Sequence, residues 1–186
     1  ERGHDMVYVC YDNGAYMNTG TQRSSATPQF ADTTTTPAGT VSSGKVQIRK
    51  DLTAILAEHH IPYAAQTTFT SNFKDLHTKA EKAIYTEGAA FLNVMSPCPR
   101  GWGYEPSELM NICKLAVESC YWPLYEVVDG KWILSYEPKN KLPVEDFFRT
   151  QKRFKHLFTP EGGELIALCQ TEVDRRWEQL KRKCEA

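Results

Sequence analysis

Several classes of protein are excluded by what this sequence lacks. No apolar run in its 186 residues approaches the roughly 18–20 needed to cross a bilayer. The opening "ERGHDMVYV" has neither the charged lead nor the apolar core of a secretory signal, so the expected localisation is cytoplasmic, with no membrane partner. There is no excess of either charge: a formal net charge of -1 gives no global attraction to nucleic acid. The basic end "RRWEQLKRK" reads as a solvated helix face with favourable C-terminal charge, and no nucleic-acid partner is expected. Six cysteines (Cys10, Cys98, Cys113, Cys120, Cys169, Cys184) contain no C-x-x-C pair, so neither a zinc site nor a disulfide framework follows from their spacing. Cys113, Cys120 and Cys169 fall on helical patterns and read as buried thiols that pack as small apolar residues. No internal repeat is present, and Thr33 to Thr36 is the one low-complexity run, read as an extended loop.

What is present is an ordinary globular composition, 41% hydrophobic and 24% charged, on a chain long enough for one well-packed domain. Hydrophobic period alternates along it. "MVYVCY" reads as a buried strand. Residues 46–59 carry Ile48, Leu52, Ile55 and Leu56 at helical spacing, and "IPYAAQ" reads as a second strand. A helix with Phe73, Leu76, Ala80 and Ile84 follows, then the strand "AAFLNVM" and a helix from about Pro106 to Cys120. Such alternation predicts an α/β fold with a mostly parallel sheet and right-handed crossovers. Beyond it, Asp129-Gly130 between two strand-like runs predicts a hairpin, and Leu165, Cys169, Val173, Trp177 and Leu180 form the apolar stripe of a terminal helix. The expected organisation is an α/β unit over 1–128, with a hairpin and helical extension of the same domain over 129–186. A first strand with nothing before it to cover it suggests that the N-terminal part of the domain is missing.

In open α/β sheets ligands sit at the carboxyl ends of strands. Two loops qualify. After "MVYVCY" comes "DNGAYMNTGTQRSS", in which Asp12, Asn13, Asn18, Thr19, Gln22, Ser24 and Ser25 offer oxygens, and Gly14 and Gly20 allow close backbone approach. Magnesium takes a few protein oxygens and completes its octahedron with phosphate and water. The Asn13 side chain and the Ala15 carbonyl could supply two ligands from one turn; a loop capped by Asx turns is the alternative. After "AAFLNVM" comes "SPCPRGWGYEP", where Cys98 stands between prolines as a nucleophile, a metal ligand or a rigid-loop thiol. His59, His60 and His156 read as surface or structural residues.

Taken together, "YVCYDNGAYMNTGTQRSSATP", "TTTTPAG", "RKDL", "SPCPRGWGYEPS", "LAVESCYWPLYE" and "RFKHL" resemble, in order and over nearly the whole chain, the thiamine-diphosphate-binding beta subunits of the pyruvate:ferredoxin and wider 2-oxoacid:ferredoxin oxidoreductases. The resemblance implies a thiamine-diphosphate-binding fold. It implies that Asn13 and the Ala15 carbonyl are magnesium ligands, that Asn18 stands at the reaction centre, and that Thr19 lies beside the cofactor. Cys98 would be one of four thiolates on a 4Fe-4S cluster. The implied activity is oxidative decarboxylation of pyruvate to acetyl-CoA and CO2, reversible as pyruvate synthase, with electrons passing to ferredoxin or flavodoxin. Its partners would be the alpha, gamma and delta subunits, pyruvate and coenzyme A. The family's G-D-G segment and three further cluster cysteines do not occur in this sequence, so the chain resembles the C-terminal portion of a beta subunit, and in isolation it is expected to be inactive. A noncatalytic α/β interaction fragment, or an oxidoreductase for another 2-oxoacid, stands as the alternative.

Overall fold

A computed structural model describes residues 4–70 and 73–186; the first three residues of the "ERGHDMVYV" reading lie outside them. Five strands form one sheet in the order β1-β3-β2-β4-β5. They are β1 (Met6–Asp12), β2 (Tyr63–Thr68), β3 (Ala89–Met95), β4 (Tyr125–Val128) and β5 (Lys131–Leu134). The first three are parallel, with β3 between β1 and β2. β4 then runs antiparallel to β2, and β5 antiparallel to β4. Asp129 and Gly130 both have positive φ, 47° and 80°, as a two-residue hairpin turn matched to strand twist requires. The expected α/β fold, mostly parallel with a C-terminal hairpin, is thus present, and the hairpin extends the same sheet.

Helices cover both faces: α1 (Leu52–Ala57), α2 (Lys74–Tyr85), α3 (Pro99–Trp102), α4 (Leu109–Glu118), α5 (Val144–Arg149) and α6 (Gly163–Glu185). On one face, Ala83 of α2, flanked by Leu76 and Ala80, packs on Tyr63, Ala65, Ala90, Leu92 and Val94. The larger core lies on the other face, where Ala64, Phe91, Met95, Tyr125 and Val127 meet apolar side chains of α4, α5 and α6. The terminal stripe is as its spacing predicts, with Cys169, Val173, Trp177 and Leu180 all buried. Cys113, Cys120 and Cys169 are buried too. Among the described residues no helix is long and apolar enough to cross a membrane.

Four expectations need correction. The helix read over 46–59 is only Leu52–Ala57, because the Asp51 carboxylate caps the Ala54 N–H while the carbonyls of Gln47 and Ile48 accept from the buried Lys45 ammonium rather than from a following helical turn. Its inward residues are Thr53 and Ala57, and Ile48 and Ile55 are exposed. Thr53 faces the sheet because it meets a polar row: its hydroxyl donates to Gln66 and accepts from Asn93. In α2 the buried pair is Lys79 and Ala83, with Phe73 and Ile84 exposed. There the Lys79 ammonium reaches the Gln66 carbonyl and the Asp75 carboxylate, so a paired, hydrogen-bonded cation takes the place of an apolar contact. The predicted Pro106–Cys120 helix is a 3₁₀ turn, Pro106–Glu108, followed by α4. Lastly, β1 is not buried: Met6, Val7, Tyr8, Val9 and Tyr11 are all exposed, since β1 is the sheet edge.

Candidate functional site

The strand order brings the two candidate loops together, because β1 and β3 are parallel neighbours in register from Met6–Ala89 to Asp12–Met95. The loops leave the same end of the sheet side by side, and the Ser96 N–H donates to the Asp12 carbonyl at 2.9 Å. The loop after β3 then turns into α3, with Pro99 at its first turn and Gly103 closing it in the left-handed region. Two contacts knit α3 to the first loop. The Trp102 indole N–H donates to the Asn13 carbonyl at 2.7 Å. A Cβ added at Gly101 would stand 2.2 Å from the Met17 sulfur, so any larger residue here would displace the Met17 side chain.

The turn itself is built by consecutive side-chain caps. An Asp12 carboxylate oxygen accepts from the Gly14 N–H at 3.0 Å, and the Asn13 amide oxygen from the Ala15 N–H at 3.3 Å. The Asx turns of the structural reading are therefore real. They leave room for the functional one: the Asn13 contact is long, and among the described residues nothing donates to the Ala15 carbonyl. Asn13 and Ala15 are half-buried, whereas Asp12 and Gly14 beneath them are buried. Gly14 holds φ at 76°, which a side chain would resist.

Asn18 and Thr19 lie on the next turn, whose Tyr16 and Gln22 exchange backbone hydrogen bonds at 3.0 and 3.1 Å. The Thr19 hydroxyl is held by the Tyr16 carbonyl and the Gln22 side chain, and Asn18 projects into solvent. Cys98, half-buried, caps α3, its sulfur accepting from the Gly101 N–H at 3.5 Å. Among the described residues no group of three or more His, Cys, Asp or Glu side chains lies together as a metal site. Four thiolates hold a 4Fe-4S cluster, so the described residues offer one ligand and do not by themselves fit that group. The Asn13–Ala15 turn does suit a hard cation with phosphate, offering a carbonyl without a donor, a weakly engaged amide oxygen and no thiolate.

Beneath the turn lie charged groups that spacing alone does not reveal. Asp12 forms an ion pair with Arg49, and the Arg49 guanidinium also stands 4.4 Å from the Trp122 ring centre. Burial works against the Arg49 cation, but the Asp12 charge and hydrogen bond outweigh it and raise its pKa. Arg153, from the 3₁₀ segment Lys152–Phe158, stacks over Trp102 at 3.8 Å and is pushed down to about 9 by burial. Its other supports are the Gln151 side chain at 2.9 Å and the Phe154 ring at 5.1 Å. The blocks "RKDL" and "RFKHL" held Arg49 and Arg153 in plain view, but nothing local in either says that it points under Asn13.

Residues 1–94 match the family model described as thiamine pyrophosphate enzyme, C-terminal TPP-binding domain. The pyruvate synthase subunit PorB of Methanosarcina barkeri is 52% identical over 88% of this chain and 55% of its own length. That of Thermotoga maritima is 47% identical over 97% of this chain and 56% of its own. The ketoisovalerate oxidoreductase subunit VorB of Pyrococcus horikoshii is 41% identical over 100% of this chain and 58% of its own. The chain thus spans little more than half the length of these relatives. With a parallel sheet, an oxygen-rich turn at the end of its first strand, and a family match over that strand, turn and the two strands that pair beside it, the chain belongs to the thiamine pyrophosphate enzymes, as part of their C-terminal TPP-binding domain.

Proposed function

We propose that this chain contributes part of the thiamine diphosphate and magnesium site of a pyruvate:ferredoxin oxidoreductase working with alpha, gamma and delta subunits. The Asn13 amide oxygen and the Ala15 carbonyl are the magnesium ligands, Asn18 faces the bound 2-oxoacid, and Thr19 lies beside the cofactor. Cys98 is one thiolate of a 4Fe-4S cluster whose other ligands come from outside the described residues. Bound at this turn, thiamine diphosphate would supply the carbanion chemistry for decarboxylating pyruvate and passing electrons toward ferredoxin or flavodoxin, with coenzyme A taking the acetyl group. The residues of this chain orient: Asp12 caps the Gly14 N–H and Trp102 holds the Asn13 carbonyl, so that the turn that would hold the metal is fixed in advance.

The observation that carries this reading is the capped Asn13–Ala15 turn, in which the Ala15 carbonyl has no donor among the described residues and the Asn13 amide oxygen accepts one long bond. Named relatives support pyruvate as substrate, and the VorB match over the full chain is the reason to test a branched 2-oxoacid beside it. The test is the complete complex purified with Asn13→Ala. Magnesium-dependent thiamine diphosphate binding is expected to weaken by roughly tenfold or more, the loss of one first-rank ligand. Pyruvate-dependent reduction of a viologen dye is expected to fall with it, while ketoisovalerate gives little reduction in the parent. Unchanged cofactor affinity in Asn13→Ala removes the assignment.

A further inference from the structure

The feature that the proposed reaction does not use is the charge beneath the turn. Arg153 is buried there and Arg49 largely so; Asp12 is the carboxylate that acts on both, and Asp51 acts on Arg49 as well. Asp12 is already committed: one oxygen holds Arg49 and the other accepts the Gly14 N–H. Among the described residues no carboxylate forms an ion pair with Arg153. Its Nε donates to a neutral amide, Gln151, and its NH2 nitrogen is buried with no hydrogen-bond partner. The Tyr121 hydroxyl, whose pKa burial raises against the lowering effect of both arginines, is also buried without a partner. With Asp12 committed to Arg49, the Arg153 guanidinium is left in the core without a carboxylate of its own, which is costly unless another anion offsets it.

That charge is placed against the metal-binding turn. An Arg153 nitrogen, NH1, lies 3.1 Å from where a Gly14 Cβ would be, and the guanidinium rests on the indole that holds the Asn13 carbonyl. The residue has nearly no freedom to turn away, being clamped between Trp102 and Phe154.

We propose that Arg153 is a positioning residue for the diphosphate: the structure gives it the role of an internal counter-charge, stacked on Trp102 beneath Asn13–Ala15, that makes the turn receptive to an anion carrying magnesium. This rests on the thiamine reading of the turn and deepens it, by assigning the anion's electrostatic support to a residue in a different part of the chain. It explains why the Trp102–Arg153 pair is buried with a polar atom left over, which a purely structural stack would not need.

The test uses the complete complex, with magnesium pyrophosphate and magnesium thiamine diphosphate as calorimetric probes. Arg153→Met, which keeps the length and removes the charge, is expected to weaken both by about tenfold or more, and Arg153→Lys, which keeps the charge but not the planar stack, to weaken them clearly less than Arg153→Met. Gln151→Glu sets a carboxylate where Gln151 now accepts from Arg153 Nε, and so supplies the missing counter-ion from within. It is expected to weaken both probes as Arg153→Met does; because it also gives up the Gln151 Nε2 bond to the Phe147 carbonyl, its fold is checked by melting temperature alongside. A structural stack predicts the opposite for that variant: unchanged binding. If Arg153→Met fails to fold, Gln151→Glu decides alone. Parent-like binding by folded Arg153→Met or by Gln151→Glu, or a loss in Arg153→Lys as large as in Arg153→Met, overturns the inference. Asn13→Ala separates the two levels. If it also binds like the parent, the thiamine reading itself fails; if it alone weakens binding, only the role of Arg153 is lost.

Discussion

The loop after β1 and the loop after β3 start side by side, yet they are supported very differently. Asn13 stands on a framework complete within the described residues: Asp12 below, the Trp102 indole on its carbonyl, Arg49 and Arg153 behind. Cys98, at the equivalent strand end, has one long contact to the Gly101 N–H, and among the described residues it belongs to no group of three or more metal-ligating side chains. The difference teaches that a half-site can be preorganised or merely presented. The turn proposed for metal and phosphate draws its rigidity from its own strand end, because backbone and short side chains can cap it. The proposed cluster ligand would gain its geometry only with the cluster and its other thiolates there.

The comparison is most severely stressed at Trp102, which belongs to both loops. Trp102→Ala empties a site that is 2% exposed, and unfolding free energy is expected to fall by about 3–5 kcal/mol in denaturant titration, as large-to-small changes of a buried aromatic do. A loss under about 1 kcal/mol would mean that the two loops are not joined through this ring. Next comes Asp12→Asn. The amide still accepts from Gly14 but leaves the buried Arg49 cation unpaired, so a loss of about 3 kcal/mol is expected, at the low end for a broken buried pair. Urea midpoints for the parent and the variant check it, and equal midpoints would show the framework below Asn13 to be idle.

A smaller effect is expected from acid. Burial pushes the Glu126 carboxyl up, but hydrogen bonds from Lys82 and Tyr63 outweigh it, so its folded pKa is lowered. A depressed carboxylate pKa stabilises the fold above the unfolded value near 4.3 and loses that contribution as pH falls through the folded one. Glu126→Gln should therefore flatten the acid limb of a stability-against-pH curve, on the α2 face far from either loop, and leave Asn13 chemistry alone. The smallest change in stability is Cys98→Ser, within about 0.5 kcal/mol because the sulfur is half-exposed and weakly bonded. Iron content of the complete complex is where it should register, by loss of the cluster; retained iron would take Cys98 off the ligand set.

Much of the fold is legible in the residues. Runs such as "AAFLNVM" and "YAAQ" are apolar for strand length because β2 and β3 are covered on both faces, and Asp129-Gly130 fixes a hairpin through local backbone geometry alone. The Asn13–Ala15 turn is legible for the same reason, its caps reaching only two residues along the chain. Helix faces are less so. Thr53 and Lys79 replace apolar residues on the buried sides of α1 and α2, since what they must satisfy is a row of amides and carbonyls on strands elsewhere in the chain.

By itself, then, the sequence determined the order of elements, the parallel α/β class, the hairpin and the oxygen-rich turn, because each depends on hydrophobic period or on groups within a few residues. Only the tertiary structure decided that β1 is an exposed edge, that the two loops share one end of the sheet, and that Trp102 and Arg153 converge under Asn13. Those facts depend on strand order and on contacts such as Trp102 with Asn13, 89 positions apart. Local propensity carries no information about which distant side chain will be brought to a given turn; packing a single core does.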